Sequence, residues 1–377
     1  MKIPFVYGKT AEAEDFTGRE KDIARLKANL QGGINTILIS PRRWGKTSLV
    51  NQVMKELEQD SNCLVCKVDV FNCRSEEDFY KAFLNAVLNA SSSKLTDFIE
   101  LVKKYMGSVG PKFTVSDVGA TTSFSIGMDF KEKHYSVDEI LSLPEKIAKE
   151  KEKNFIISID EFQHIDDFDD PRGFQAKLRA HWQVQQHCCY CLYGSKRHML
   201  LSMFGDYEMP FYKFGDMMML DKIPLQEWVE FIVRRFNQTG KCITPELAKI
   251  IAERVECHSF YVQQYSQLVW LLTNKTASME TVDLAYEQLI DRSSLVYSNL
   301  IDNLKPRQIN FLLSIAHGEK NFSSAKTLRD YNLGTSANVK NLKKAVIERD
   351  LVDLRFKDDY EIQDPVLKEW LLRNYTL

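Results

Sequence analysis

Apolar positions along the chain fall into two regimes. Up to about residue 222, short unbroken apolar runs alternate with stripes of helical period. Residues 37–39, 64–70, 155–159, 187–193 and 217–220 read as strands. Leu49, Val50, Val53, Met54 and Leu57 share one helical face. So do Phe79, Phe83, Val87 and Leu88 after Ser75, and Phe174, Leu178 and Trp182 from about Gly173. An earlier stripe, Ile23, Leu26 and Leu30, predicts a helix opening near Thr17 or Gly18. Strand and helix in alternation predict an α/β core with a parallel sheet. Residues 107–130 interrupt the rhythm. β-Branched and aromatic residues flank Val118-Gly119-Ala120 there, which predicts a β-hairpin inserted on the core.

From Ile223 the pattern is wholly helical. Thr244-Pro245 is a cap followed by proline at the first helical position, with Leu247, Ile250, Ile251 and Val255 inward. A second helix starts at Ser259, with Tyr261, Tyr265, Leu268 and Leu272 in phase. The last segment has three helical stripes. They carry Ile309, Leu312, Leu313 and Ala316, then Leu328, then Val339, Leu342 and Val346. Two short strands around Lys357-Asp358-Asp359 follow, and three helices with a hairpin predict a winged helix-turn-helix. The expected division is a core over 1–222, a helical lid over 223–300 and a winged helix over 301–377.

The junction between the first strand and its helix carries the chemistry. It reads Ser40-Pro41-Arg42-Arg43-Trp44-Gly45-Lys46-Thr47, followed by Ser48. This fits G-x-x-x-x-G-K-[ST] at every defined position except the first, in the strand–loop–helix context the motif requires. Such a loop aims several backbone N–H groups at one point, beside the partial positive charge of a helix N-terminus. Gly45 lets the backbone approach phosphate, Lys46 reaches the β- and γ-phosphate oxygens, and the Thr47 hydroxyl suits Mg²⁺. Serine at position 40 is compatible with the loop if its φ is negative. The apolar strand over 155–159 ends in Asp160-Glu161. That is the Walker B pattern, in which Asp160 accepts from the Mg²⁺ shell and Glu161 orients a water.

Composition narrows the setting without changing this picture. The chain has 377 residues, 44% of them hydrophobic and 27% charged, with a formal net charge of −2. That balance offers no bulk attraction to nucleic acid or to an acidic membrane, so any such contact needs a local patch. No run approaches the ~20 apolar residues of a membrane span, and a cytoplasmic setting is expected. The eight cysteines sit mainly in apolar strands. They read as buried reduced thiols more readily than as a zinc site built from Cys63, Cys66 and the 187–191 cluster.

Several segments together resemble the archaeal-type ATPases of the STAND group of AAA+ proteins. These are Phe16-Thr17-Gly18-Arg19-Glu20, the loop at 40–47, Asp160-Glu161, Ser195 and the tail around Asp364-Pro365. The first is similar to the family's F-x-G-R-E element, which implies a segment lying against adenine; Arg19 also suits a surface salt bridge. In a core of this type the strand at 187–193 lies between the P-loop and Walker B strands. Ser195 is then a polar sensor candidate, with Lys196 or Arg197 able to meet a γ-phosphate; a basic turn in water is the other reading. Pro210-Phe211-Tyr212-Lys213 lies where related ATPases often carry an arginine, and none is present. Cys257-His258-Ser259-Phe260-Tyr261-Val262-Gln263 resembles G-H-P-Y-Y-x-Q, with the glycine and proline replaced, and His258 is a candidate neighbour of the nucleotide. The resemblance implies ATP or ADP with Mg²⁺ as ligands, and a nucleotide-dependent switch. The third winged-helix helix is expected to expose Asn338, Lys340, Asn341, Lys343 and Lys344, residue types that contact phosphates and base edges. Glu348, Asp350, Asp353, Asp358 and Asp359 oppose that, so duplex DNA and a protein both stay open as partners.

Overall fold

A computed structural model describes residues 3–92, 94–106, 112–118, 121–127, 136–354 and 359–375. The backbone divides into two compact units. One comprises Glu20–Ser40 and Lys46–Leu220. The other comprises Met1–Arg19, Pro41–Gly45 and Asp221–Leu377.

The first unit runs α1 (Glu20–Gln31), β1 (Thr36–Ile39), α2 (Lys46–Leu57), β2 (Cys63–Asp69), α3 (Glu76–Ser91) and α4 (Leu95–Met106). It continues with β3 (Lys112–Val118), β4 (Thr121–Gly127), α5 (Val137–Lys151), β5 (Asn154–Asp160), α6 (Pro171–Trp182), β6 (Cys188–Gly194), α7 (Arg197–Gly205) and β7 (Asp216–Met219). Five of these strands form one parallel sheet in the order β2-β5-β6-β1-β7. The strand after α6 therefore lies between the P-loop strand and the Asp160 strand, as expected. Every residue of β1 and β6 is buried, because a parallel sheet is covered on both faces, and this is why those strands read as unbroken apolar runs. The edge strand β2 alternates toward its end, with Lys67 and Asp69 exposed.

Aromatic side chains fill much of this core. Trp182 stacks on Tyr190 with ring centres 4.2 Å apart; Phe162, Phe211 and Phe214 pack against the pair, and Phe204 packs on Phe162 and Phe211. Cys66, Cys188, Cys189 and Cys191 are buried free thiols. Burial pushes each thiol up, Cys189 to about 12, so they stay neutral. The hairpin appears as β3 paired antiparallel with β4, from Lys112 opposite Gly127 to Val118 opposite Thr121. Its turn at 119–120 lies outside the described residues, as do 107–111 and 128–135. Two helices that the pattern left unmarked, α4 and α5, precede and follow the hairpin. In α5, Pro144 sits inside the helix and is buried. Helix α1 begins at Glu20 rather than Thr17 or Gly18, because Gly18 takes φ +66°, a left-handed turn ahead of the helix.

The second unit is helical: α8 (Leu225–Asn237), α9 (Pro245–Arg254), α10 (Ser259–Leu272), α11 (Met279–Asp302), α12 (Pro306–Ala316), α13 (Ala325–Asp330) and α14 (Ser336–Glu348). A short hairpin, β8 (Val352–Leu354) with β9 (Tyr360–Ile362), and α15 (Pro365–Asn374) complete it. Residues 355–358 of the wing lie outside the described residues. Side-chain caps at Thr244, Ser278, Ser324 and Asp364 start α9, α11, α13 and α15. One continuous apolar core extends from Phe5, through α8–α11, to Leu371 in α15. Tyr261 of α10, Tyr297 of α11 and the Asp364 cap of α15 join in one hydrogen-bonded cluster. Arg235 pins the N-terminal segment by donating to the Pro4 carbonyl at 2.6 Å and pairing with Asp15.

Candidate nucleotide-binding site

In the sheet unit, the carboxyl ends of β1, β5 and β6 meet in register. Ile39 is paired with Gly194, and Ile159 with Leu192. Residues that leave these strand ends are therefore neighbours, in the place where open parallel sheets bind ligands. Lys46, the first residue of α2, is 6% exposed. Its ammonium lies 3.7 Å from Asp160 Oδ1 and 3.9 Å from Glu161 Oε1, and 5.4 Å above the Tyr193 ring. The Thr47 hydroxyl donates to Asp160 Oδ2 at 3.4 Å. Ser48 is buried in the same first turn.

The two acids leave β5 in different states. Glu161 adopts φ +50°, a left-handed turn directly after β5. Its Oε2 accepts from the Ser195 hydroxyl at 3.0 Å, from the Ser195 N–H at 3.4 Å, and from Gln163 Nε2. Burial alone would raise its pKa, but Lys46 and these donors outweigh that and hold it below the usual range. For Asp160, burial prevails over Lys46, and its carboxyl is pushed up. Ser195, the sensor candidate, thus hydrogen-bonds the second acid. Arg197 is the half-buried first residue of α7. Gln163 went unmarked in the sequence; its only local signal was a glutamine two residues after the second acid.

The remaining loop residues, Pro41–Gly45, have neighbours in the helical unit. The reversal is made by Arg43 at φ +66° and Gly45 at φ +92°. A Cβ at Gly45 would meet nothing within 4 Å, so backbone conformation rather than space favours glycine there. Ser40 is fully buried and lies outside the positive-φ residues, so the loop does not need its first glycine. The Trp44 carbonyl accepts from Arg19 Nη2 at 3.0 Å and from the Ser259 hydroxyl at 3.3 Å. Arg19 also donates to the Asp221 carbonyl at 2.6 Å. It is 4% exposed and clamps two backbone carbonyls. Arg43 lies over the Phe260 ring at 4.6 Å, Lys222 over the Trp44 ring at 5.7 Å, and Arg42 is 3.5 Å from Asp350. Gly18 abuts Ile223, and Phe16 is half-buried nearby in sequence. His258 caps α10, buried, with no hydrogen-bond partner for Nδ1. Burial first, then Lys222 and Arg43, lower its pKa to about 3, so the ring is neutral.

Residues 44–168 match the KAP family P-loop domain, and residues 295–373 match a probable winged helix domain. The fold is that of a P-loop NTPase carrying a winged helix. A Walker-type ATPase of Pyrococcus abyssi aligns over 98% of this chain and 99% of its own, at 17% identity and a TM-score of 0.69. The Aeropyrum pernix ORC2 protein, solved in complexes with ADPNP and ADP, covers 94% of this chain and 93% of its own. It aligns at 14% identity with a TM-score of 0.56. At these identities the likeness speaks for the fold alone. No curated protein matches the chain. Among the described residues, no helix is long and apolar enough to cross a membrane.

Proposed function

We propose that this P-loop NTPase binds ATP and hydrolyses it slowly with Mg²⁺, acting as a nucleotide-dependent switch of the STAND AAA+ type. The observation that carries the reading is Lys46, buried within 4 Å of both Asp160 and Glu161, with Thr47 on the other Asp160 oxygen. The backbone of residues 40–48 and the start of α2 would cradle the phosphates, and Lys46 would neutralise the β- and γ-phosphate oxygens. Glu161 would orient a water, with Ser195 holding its far oxygen; Arg197 is assigned to the γ-phosphate side. Phe16, Gly18, Arg19 and His258 are assigned to the rim of the nucleotide, on resemblance.

The donors at Thr47 and Asp160 fit Mg²⁺. They are a hydroxyl and a carboxylate, hard oxygen ligands of the kind this ion takes beside phosphates and water. Burial raises the Asp160 carboxyl in spite of the Lys46 ammonium beside it. When bound, the ion supplies charge neutralisation on the phosphates. Turnover should require Mg²⁺ and Lys46 together; equal turnover by Lys46→Ala would sink the assignment.

The working parts we infer are a core over 1–222, a lid over 223–300 and a winged helix over 301–377, in a cytoplasmic protein with free thiols. For the winged helix we favour a protein partner over duplex DNA. On α14 the Lys343 ammonium lies over the Tyr360 ring at 4.4 Å, and Lys344 lies 3.6 Å from Glu348. Lys340, Asn341 and Lys344 remain as exposed polar residues of the predicted reading face. Duplex binding that falls steeply with salt, and that Lys340→Ala with Lys344→Ala removes, would reverse this preference.

A further inference from the structure

A glutamate that orients water needs one oxygen turned toward the phosphate and torsions that do not wander. Glu161 is held by a single oxygen. Oε2 takes all three donors, from Gln163 and from the hydroxyl and N–H of Ser195, while Oε1 faces the Lys46 ammonium at 3.9 Å. The carboxylate is anchored on one side and presented on the other.

Gln163 is not placed there by chance packing. It belongs to the 3₁₀ turn Phe162–Asp167 directly after the acid, and it is 1% exposed. Its Nε2 points at Glu161, while its own Oε1 is buried with no hydrogen-bond partner. That oxygen is pressed against the last residue of β6, where a Cβ on Gly194 would come within 1.7 Å of it. An apolar side chain would fill the space without an orphaned acceptor. What glutamine adds over an apolar side chain is the donor to Glu161.

We propose that Gln163 is a positioning residue for ATP hydrolysis: it anchors Glu161 by Oε2 so that Oε1 meets the attacking water, and Gly194 lacks a side chain to admit it. The inference rests on the ATPase reading of this site. In the step concerned, the water oxygen bonds to the γ-phosphorus. The bond from that phosphorus to the β–γ bridging oxygen breaks, and its electron pair leaves on ADP. The water protons pass to the released phosphate and to solvent. Glu161 aligns the water, and Gln163 touches neither water nor phosphate.

The test measures kcat and KM for Mg²⁺-ATP together with the equilibrium Kd for ATP, in wild type and in Gln163→Leu, which keeps the volume and removes the donor. A misaligned reacting group costs on the order of 10²-fold in rate. We expect kcat to fall about 10- to 100-fold while KM and Kd stay within about twofold. Gly194→Ala should reproduce that fall. In a Gln163→Ala background, where the space is free, Gly194→Ala should cost nothing further. Unchanged kcat in Gln163→Leu, with wild-type turnover still dependent on Lys46, overturns this inference and leaves the ATPase reading standing. Equal losses of kcat and ATP affinity assign Gln163 a structural role and overturn it as well. Wild-type protein that turns over no ATP removes both readings together.

Discussion

Glu161, after β5, and Cys257, before α10, both hold left-handed backbone, at φ +50° and +55°. Non-glycine residues reach that region at a cost of about 1 kcal/mol or more. In the first turn the strained residue is Glu161 itself, and donors from Gln163 and Ser195 converge on its carboxylate. In the second, Glu256 is also left-handed, at φ +51°, and pairs with Lys368 at 2.8 Å and Lys222 at 3.5 Å. The next polar group there, His258 Nδ1, is buried without a partner. The difference teaches that strain alone does not mark a site. At Glu161 it aims a satisfied carboxylate; at Cys257 it turns the chain so that His258 and Ser259 open α10. The family that this stretch resembles has glycine at the Cys257 position and proline at the Ser259 position. The left-handed φ explains the glycine. Ser259 sits at the first helical position, which proline favours, and here supplies a hydroxyl to the Trp44 carbonyl instead.

The comparison can be broken most sharply through Lys46, which faces the first turn. Lys46→Ala should abolish detectable ATP binding in an equilibrium titration, because it leaves the phosphates without their main buried cation. Glu161→Gln comes next. It keeps the shape of the side chain and should lower turnover by about 10²–10³-fold, the range seen when one preorganised group in a transition state is lost. ATP affinity should stay within a few-fold of wild type, and turnover at the wild-type rate would remove Glu161 from the chemistry.

The second turn should answer to pH instead. Burial holds His258 at about 3, with Lys222 and Arg43 adding to the shift, whereas the unfolded chain titrates it near the usual ~6.5. Between those values the unfolded state binds the extra proton, so stability is lost as pH falls from about 6.5 toward about 3. The slope is ~1.4 kcal/mol per pH unit. Between pH 6.5 and 5, wild type should lose about 2 kcal/mol more than His258→Phe in urea denaturation. Parallel losses in the two proteins would mean that His258 takes up its proton in the folded state.

Much of the candidate site was legible because its parts are local. Strand, loop, Lys46 and Thr47 are consecutive, and the run ending in Asp160-Glu161 announces its own turn. Ser195 was legible only through the expected strand order, which put the end of β6 beside β5. Gln163 was not legible, since a glutamine in a turn is ordinary until its donor is seen on Glu161. Lys343 was expected to face outward, but the Tyr360 and Phe322 rings cover its ammonium at 4.4 and 5.5 Å. Helices α4, α5 and α15 were missed as well; α5 contains Pro144, and α15 follows a turn that reads as a tail. Packing against neighbours far along the chain overrides such local signals.

By itself the amino-acid sequence determined the α/β core, the helical second half, the winged-helix pattern, and the residues of the loop and the acid pair. These follow from hydrophobic period, turn chemistry and motif spacing, all of which act within a few residues. Tertiary structure alone decided which side chains meet. It set Glu161 on three donors and Arg19 on two carbonyls, and it made His258 a neutral buried ring. Burial and long-range hydrogen bonds fix the charge and aim of a group, and neither is a property of neighbouring positions in the chain.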